Sequence, residues 1–256
     1  MMRPIYFLAF FVIIAPAQIL AQDPMAMSMR TTTWPETPAS GEGLIWSVFS
    51  RQYFAVSNWN TAGLSMEYQS GPGQSTALIC RDGIPGFSWY HLYVSHNRQF
   101  KKMSTMLQLR FSLIGLKNKP PVFRLGGNLQ TIWSITETLL LNLTIYDFTG
   151  WIMPAPAFAR GDPAMQFLLF NEPGRLIALA AGFQISRSQF GPVTAGVRMN
   201  INDTVKITGL INALPLGISI GVNWNLKGYS FSGWMEQQNG RGITPMMKIS
   251  NKLRKS

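Results

Sequence analysis

Residues 107–148 constrain this chain more than any other stretch. Apolar side chains fall at every second position, Leu107, Leu109, Phe111 and Leu113, with Gln108, Arg110 and Ser112 between them. After a turn rich in Lys, Asn and Pro, the rhythm returns as Phe123, Leu125, Leu129 and Trp133, interleaved by Arg124, Asn128 and Gln130. It returns again as Leu139, Leu141, Leu143 and Ile145 against Asn142, Thr144 and Tyr146. A period of two marks an extended strand with one apolar and one polar face. Three such strands joined by short turns form an antiparallel meander.

Strand length narrows the fold. Strands of soluble domains run to about 5–6 residues, whereas a tilted strand crossing a bilayer needs about 9–11. These segments reach the longer range, and their polar faces carry arginines that a packed soluble core would not accept unpaired. Apolar-out, polar-in alternation at this length predicts an all-β, antiparallel, up-and-down transmembrane β-barrel.

Composition agrees. Charged residues make up 13% of the 256, about half the usual soluble share of roughly 25%. No apolar run is long enough for a spanning helix. The single cysteine, Cys80, excludes an intramolecular disulfide framework and any Cys-based zinc site. A net charge of +11 raises the question of nucleic acid. The basic residues are scattered along strands, however, without a helical basic face or an RNA-binding aromatic motif. The excess reads instead as a cationic barrel interior plus a basic tail over residues 248–255, with no nucleic-acid partner.

Residues 1–21 have the build of a cleaved signal peptide: Arg3, an apolar stretch over 5–15, then small residues that place cleavage after Ala17 or, preferably, Ala21. Residues 22–43 read as a flexible leader, and 44–256 as the barrel. Residues 44–56 fit neither period cleanly, and serve as a first strand or an N-terminal plug segment. Leu64, Met66 and Tyr68 open a strand; 70–86, punctuated by Gly, Pro and Ser, reads as loop. Residues 87–96 alternate weakly, and Trp89, Tyr90 and Tyr93 suit an interfacial aromatic girdle. Past the interruption at 150–163, alternating segments recur near 165–170, 177–186, 193–201, 205–212, 218–226, 231–237 and 243–250. The total is about twelve strands, within a range of ten to fourteen.

Asn60-Thr61-Ala62-Gly63-Leu64 resembles the Asn-Pro-Ala-Gly-Leu element near the start of FadL-like and PorV-type outer-membrane barrels, with Thr61 in place of Pro. The later strand-Gly-strand hairpins, including Gly217-Ile218-Ser219-Ile220-Gly221, are similar in texture to PorV-like barrels of Bacteroidetes. The resemblance implies an outer-membrane barrel whose role lies between hydrophobic-solute uptake and accessory work in a secretion machine. That family normally builds fourteen strands, more than the pattern here suggests. The ending Arg254-Lys255-Ser256 also departs from the terminal aromatic residue that outer-membrane insertion prefers.

Little in the sequence points to catalysis. His91 and His96 are the only histidines. His91 and Ser95 would share a strand face about 13 Å apart, too far for a direct hydrogen bond. No Gly-x-Ser-x-Gly elbow occurs, no carboxylates are paired by spacing, and no cofactor motif is present. The informative residues are the inward candidates Arg110, Arg124, Arg198, Lys206 and Lys227. They either give the lumen a preference for anions or pair with Glu67, Glu137 or Glu236 and seal it. The expected function is a non-enzymatic outer-membrane channel, transport or secretion-accessory barrel. Its partners would be membrane lipid, a small or hydrophobic solute, or secretion machinery. A secreted soluble β-sandwich or solenoid and a barrel enzyme acting on lipid are the alternatives.

Overall fold

The computed structural model describes residues 43–52, 59–84, 86–152, 163–174, 176–186, 190–213, 216–238 and 242–254. The expected signal peptide, and the leader up to residue 42, lie outside them. The described residues form fourteen antiparallel strands, each paired with its neighbours in sequence, and β1 pairs with β14 to close the barrel. The first seven are β1 (Gly43–Gln52), β2 (Asn60–Ser70), β3 (Gly73–Ile84), β4 (Phe87–Phe100), β5 (Met103–Leu116), β6 (Val122–Ser134) and β7 (Leu139–Tyr146). One short helix, α1 (Thr149–Ile152), follows β7. The wall resumes with β8 (Ala164–Asn171), β9 (Ile177–Ser186), β10 (Phe190–Asn200), β11 (Val205–Ala213), β12 (Leu216–Leu226), β13 (Tyr229–Gln238) and β14 (Gly242–Arg254).

Fourteen strands replace the twelve expected, and two segments account for the difference. The candidate plug is a wall strand over its described part: β1 hydrogen-bonds to β2 on one side and β14 on the other. Residues 53–56 of that segment lie outside the described residues. The segment read as loop contains β3, paired along its length with β2 and β4. Both strands sort their faces poorly. In β1, Phe49 points inward and Ser50 outward. In β3, Leu78 and Cys80 are inside while Ser75 and Arg81 are outside.

Over most of the remaining wall the faces sort as the alternation demands, β4 and β8 also turning apolar side chains inward. Leu64, Leu107, Phe123, Ile220 and Ile249 stand exposed on the outer wall, whereas Gln108, Arg110, Asn128, Asn142, Thr144 and Glu236 are buried within. This inverts the arrangement of a soluble core and suits a wall bathed in hydrocarbon. Closure leaves no strand edge for lipid to desolvate.

The two barrel ends differ. At the terminal end, where β1 starts and β14 finishes, the connections are short, and Tyr68, Phe100, Trp133, Trp224 and Tyr229 face outward near it. These residues form the aromatic girdle. Of the three residues expected there, only Tyr90 faces outward, on the opposite half of the wall; Trp89 and Tyr93 point inside. The opposite, far end carries the long connection between β7 and β8.

Candidate functional site in the barrel interior

Residues directly opposite each other on antiparallel strands share a face, so the register defines inward rows. One row runs Phe49, Gly63, Cys80, His91, Ser112, Arg124 across β1 to β6; the next runs Ser47, Ser65, Leu78, Tyr93, Arg110, Gly126. Arg110 and Arg124 therefore sit on adjacent strands, one row apart. Between them comes Asp147, the first residue after β7, with φ of 50°. That left-handed backbone, which Asp tolerates better than most residues, turns the chain out of the wall.

The carboxylate of Asp147 bridges both arginines. Arg124 Nη2 donates a short hydrogen bond to Asp147 Oδ2, and Arg110 Nη2 lies 3.4 Å from the same oxygen. Thr149 Oγ1 donates to Oδ1 at 3.1 Å. The Asp147 backbone N–H donates to Asn128 Oδ1 at 2.8 Å, and Asn128 Nδ2 donates to Gln108 Oε1 at 2.7 Å. Gly126 makes room for this clamp. A Cβ there would lie 2.8 Å from Arg110 Nη2 and 3.0 Å from Asp147 Oδ1.

The departure at Asp147 leaves a seam in the wall. β7 pairs with β6 only between Leu129↔Ile145 and Ser134↔Leu140, while β8 follows β7 as far as Tyr146↔Ala164. The carbonyls of the first half of β6 must find other partners, because an unsatisfied backbone group in a lipid-facing wall is expensive. Phe148 N–H donates to Gly127 O at 2.8 Å, and Thr149 Oγ1 donates to Leu125 O at 3.1 Å. The Phe148 ring covers Gly127, where a Cβ would meet it at 2.5 Å. Phe148 and Thr149 thus continue the ladder that β7 abandons.

The other expected lumen residues are distributed differently. Arg198 is buried and makes a short ion pair with Glu172 in the β8–β9 connection. Lys206 faces inward and is half-buried near the terminal end. Lys227 lies in the exposed turn between β12 and β13, outside the lumen. A further buried pair joins Arg51 of β1 to Glu236 of β13 at 3.8 Å. Of the three acids expected as partners, Glu236 thus takes Arg51, while Asp147 and Glu172 hold the named arginines.

Apolar side chains also face inward. Along β4, Phe87, Trp89, His91 and Tyr93 form a column with successive ring centroids 5.5, 5.6 and 5.6 Å apart. Tyr93 packs with Phe49, Leu78 and Cys80 into a buried cluster. Leu168, Phe170, Ala178 and Ala180 form a second one, with Leu140 against it. His91 Nδ1 lies 2.8 Å from Ser112 Oγ across the strand pair, so its partner is Ser112 and not Ser95. Among the described residues no three His, Cys, Asp or Glu side chains converge as metal ligands.

A closed fourteen-strand wall, apolar outside and ion-paired inside, defines a membrane-type β-barrel. No family model and no curated protein matches the sequence. Among solved structures, the barrel is similar to the Ralstonia pickettii toluene transporter TbuX, at 7% identity over 85% of this chain and 90% of that one, with a TM-score of 0.63. It is also similar to a TodX deltaS2S3 mutant, a monoaromatic hydrocarbon channel, at 8% identity over 82% of this chain and 88% of that one, with a TM-score of 0.56. At these identities the likeness is one of fold.

Proposed function

We propose that this protein is a non-enzymatic outer-membrane barrel of FadL-like type that passes small apolar solutes, aromatic ones among them. The inward aromatic column of β4 carries the reading. Phe87 and Trp89 are half-buried near the far end, with His91 and Tyr93 buried beyond them. A bore meant only for ions has no use for stacked rings and an apolar cluster on its inner face. Apolar pockets with a few placed polar groups are the usual setting for small-molecule binding. A shared fold with a toluene transporter and a monoaromatic hydrocarbon channel supports this choice of solute. Residues 1–21, read as a cleaved signal, support export to that membrane.

Uptake of labelled toluene and of a labelled sugar by cells displaying the protein tests the proposal. Toluene entry should exceed that of cells lacking the barrel, sugar entry should not, and Trp89→Ala should lower toluene entry several-fold. Sugar entry matching toluene entry, or toluene entry indifferent to Trp89→Ala, would overturn the reading. A folded barrel in the outer-membrane fraction, with heat-modifiable gel mobility, is the accompanying check on location.

A further inference from the structure

Near the terminal end, β4 carries a basic patch where the apolar rule of the outer wall fails. On β4 the outward residues run Tyr90, Leu92, Val94, then His96, Arg98 and Phe100 toward the terminal end. Arg98 stands directly between Gly73 and Thr105, and Thr105 is opposite Thr131. His96 is opposite Ser75 and meets its hydroxyl at 3.0 Å through Nδ1. The turn above adds Lys101 and Lys102, both exposed. Phe100 and Trp133, 48% and 56% exposed, flank the patch at girdle level.

We propose that this patch binds the phosphate headgroup of an anionic glycerophospholipid in the leaflet at the terminal end. Two observations separate it from ordinary surface charge. Each interior arginine described above is matched by a carboxylate, whereas Arg98, Lys101 and Lys102 make no ion pair among the described residues. The Arg98 guanidinium instead lies over the Phe100 ring, 5.5 Å from its centroid. Glu137, exposed in the adjoining β6–β7 turn, is the acid on that part of the rim. In addition, Arg98 and His96 stand beside Thr105 and Ser75 on the lipid-facing surface itself, and the two lysines of the adjoining turn concentrate charge there, whereas Arg81, outward on β3 near the far end, stands beside Ser88 without such neighbours. A phosphate at this depth would accept from Arg98 and the threonines while its acyl chains lie along Leu107 and Val94. Gly73, beside Arg98, is covered by the His96 ring, whose Cε1 lies 3.4 Å from where a Cβ would stand. The inference rests on the wall spanning a membrane and is independent of which solute passes through it.

The test uses the purified full-length mature protein in neutral detergent. Retention of phosphatidylglycerol and phosphatidylcholine is compared by native mass spectrometry, with lipid A and inorganic phosphate as competitors. Each basic residue near anionic headgroups contributes about a fivefold factor in affinity. Phosphatidylglycerol should therefore be kept preferentially, and R98A/K101A/K102A should lose at least tenfold. Lys227→Ala, in another exposed turn, should change nothing. If the triple variant loses heat-modifiable mobility, K101A/K102A supplies the comparison with Arg98 intact and should still lose several-fold. The proposal is overturned by equal retention of the two lipids, or by a preference that survives the substitutions. It is also overturned if lipid A or free phosphate displaces phosphatidylglycerol at equal concentration. Toluene uptake by K101A/K102A should stay at the wild-type level, so failure here would leave the solute reading standing.

Discussion

Asp147 concentrates more of the interior than any other residue. One buried carboxylate holds two arginines, a threonine hydroxyl and, through its backbone, the Asn128–Gln108 pair. Removing one partner of a buried ion pair typically costs about 3–5 kcal/mol, because the other charge is left desolvated. Asp147→Ala should therefore lower unfolding stability in detergent by about that much, as read by urea titration of tryptophan fluorescence. Asp147→Ala and Arg124→Ala should combine with less than the sum of their separate effects; full additivity would show that they do not act as one unit. Gly221 makes a steric counterpart. A Cβ there would overlap the Trp234 ring on the neighbouring strand, and a rigid indole has little room to yield. Gly221→Ala should cost about 1–3 kcal/mol and change the near-ultraviolet circular dichroism of the tryptophans. A neutral outcome would place that ring elsewhere. The inward arginines could be named from alternation alone. Asp147 could not be paired with them, since at a strand end it looks like any turn-capping aspartate, and no periodicity encodes a φ of 50°.

Among the elements, the β6–β7 seam is the one held by the fewest ladder bonds. Its closure depends on Phe148 N–H and Thr149 Oγ1 reaching carbonyls of β6. Thr149→Val keeps the shape but removes a donor to both Leu125 O and Asp147 Oδ1. An acceptor left without its partner costs about 1–3 kcal/mol. The expected result is faster amide hydrogen exchange in the first half of β6 and in 147–149, with β12 and β13 unchanged. Uniform acceleration would mean that the seam unfolds only with the whole barrel. The same elements show why the strand count came out low from sequence. β12 alternates without exception and is visible at once. β3 mixes its faces, with Leu78 and Cys80 inside beside Asp82, and Ser75 and Arg81 outside beside Ile79, so a hydropathy rule reads it as loop. β1 is equally mixed because its Phe49 fills the space over Gly63, where a Cβ would lie 2.5 Å from the ring. In both strands, packing inside the barrel overrides the rule that sorts the remaining wall.

At the scale of the whole molecule, the interior holds tightly packed polar side chains at several points of the wall. Thr61 and Gln108 are 0% exposed, Thr144 1% and Glu236 2%. They belong to β2, β5, β7 and β13, spread around the circumference. At those points the described side chains fill the space against the wall, while inward neighbours such as Glu67, Ser232 and Trp234 remain half-buried. Closure itself follows from the chain: amphipathic strands joined by short turns have no other way to satisfy both edges in lipid. What the sequence left open was whether the inward charges line a pore or cancel one another, and their pairing across strands depends on a register that only the closed wall establishes. Under the proposed function, passage of solute requires these packed side chains to move aside, which favours small apolar molecules over hydrated ions. In a planar bilayer the wild-type protein should insert without stable open steps whose size follows bulk conductivity, while the same preparation still admits toluene in the uptake assay. Asp147→Ala, with its arginines released, should raise ion leakage above the wild-type level. Steady ohmic steps from the wild-type protein would establish a water-filled bore and remove the argument for selectivity by packing.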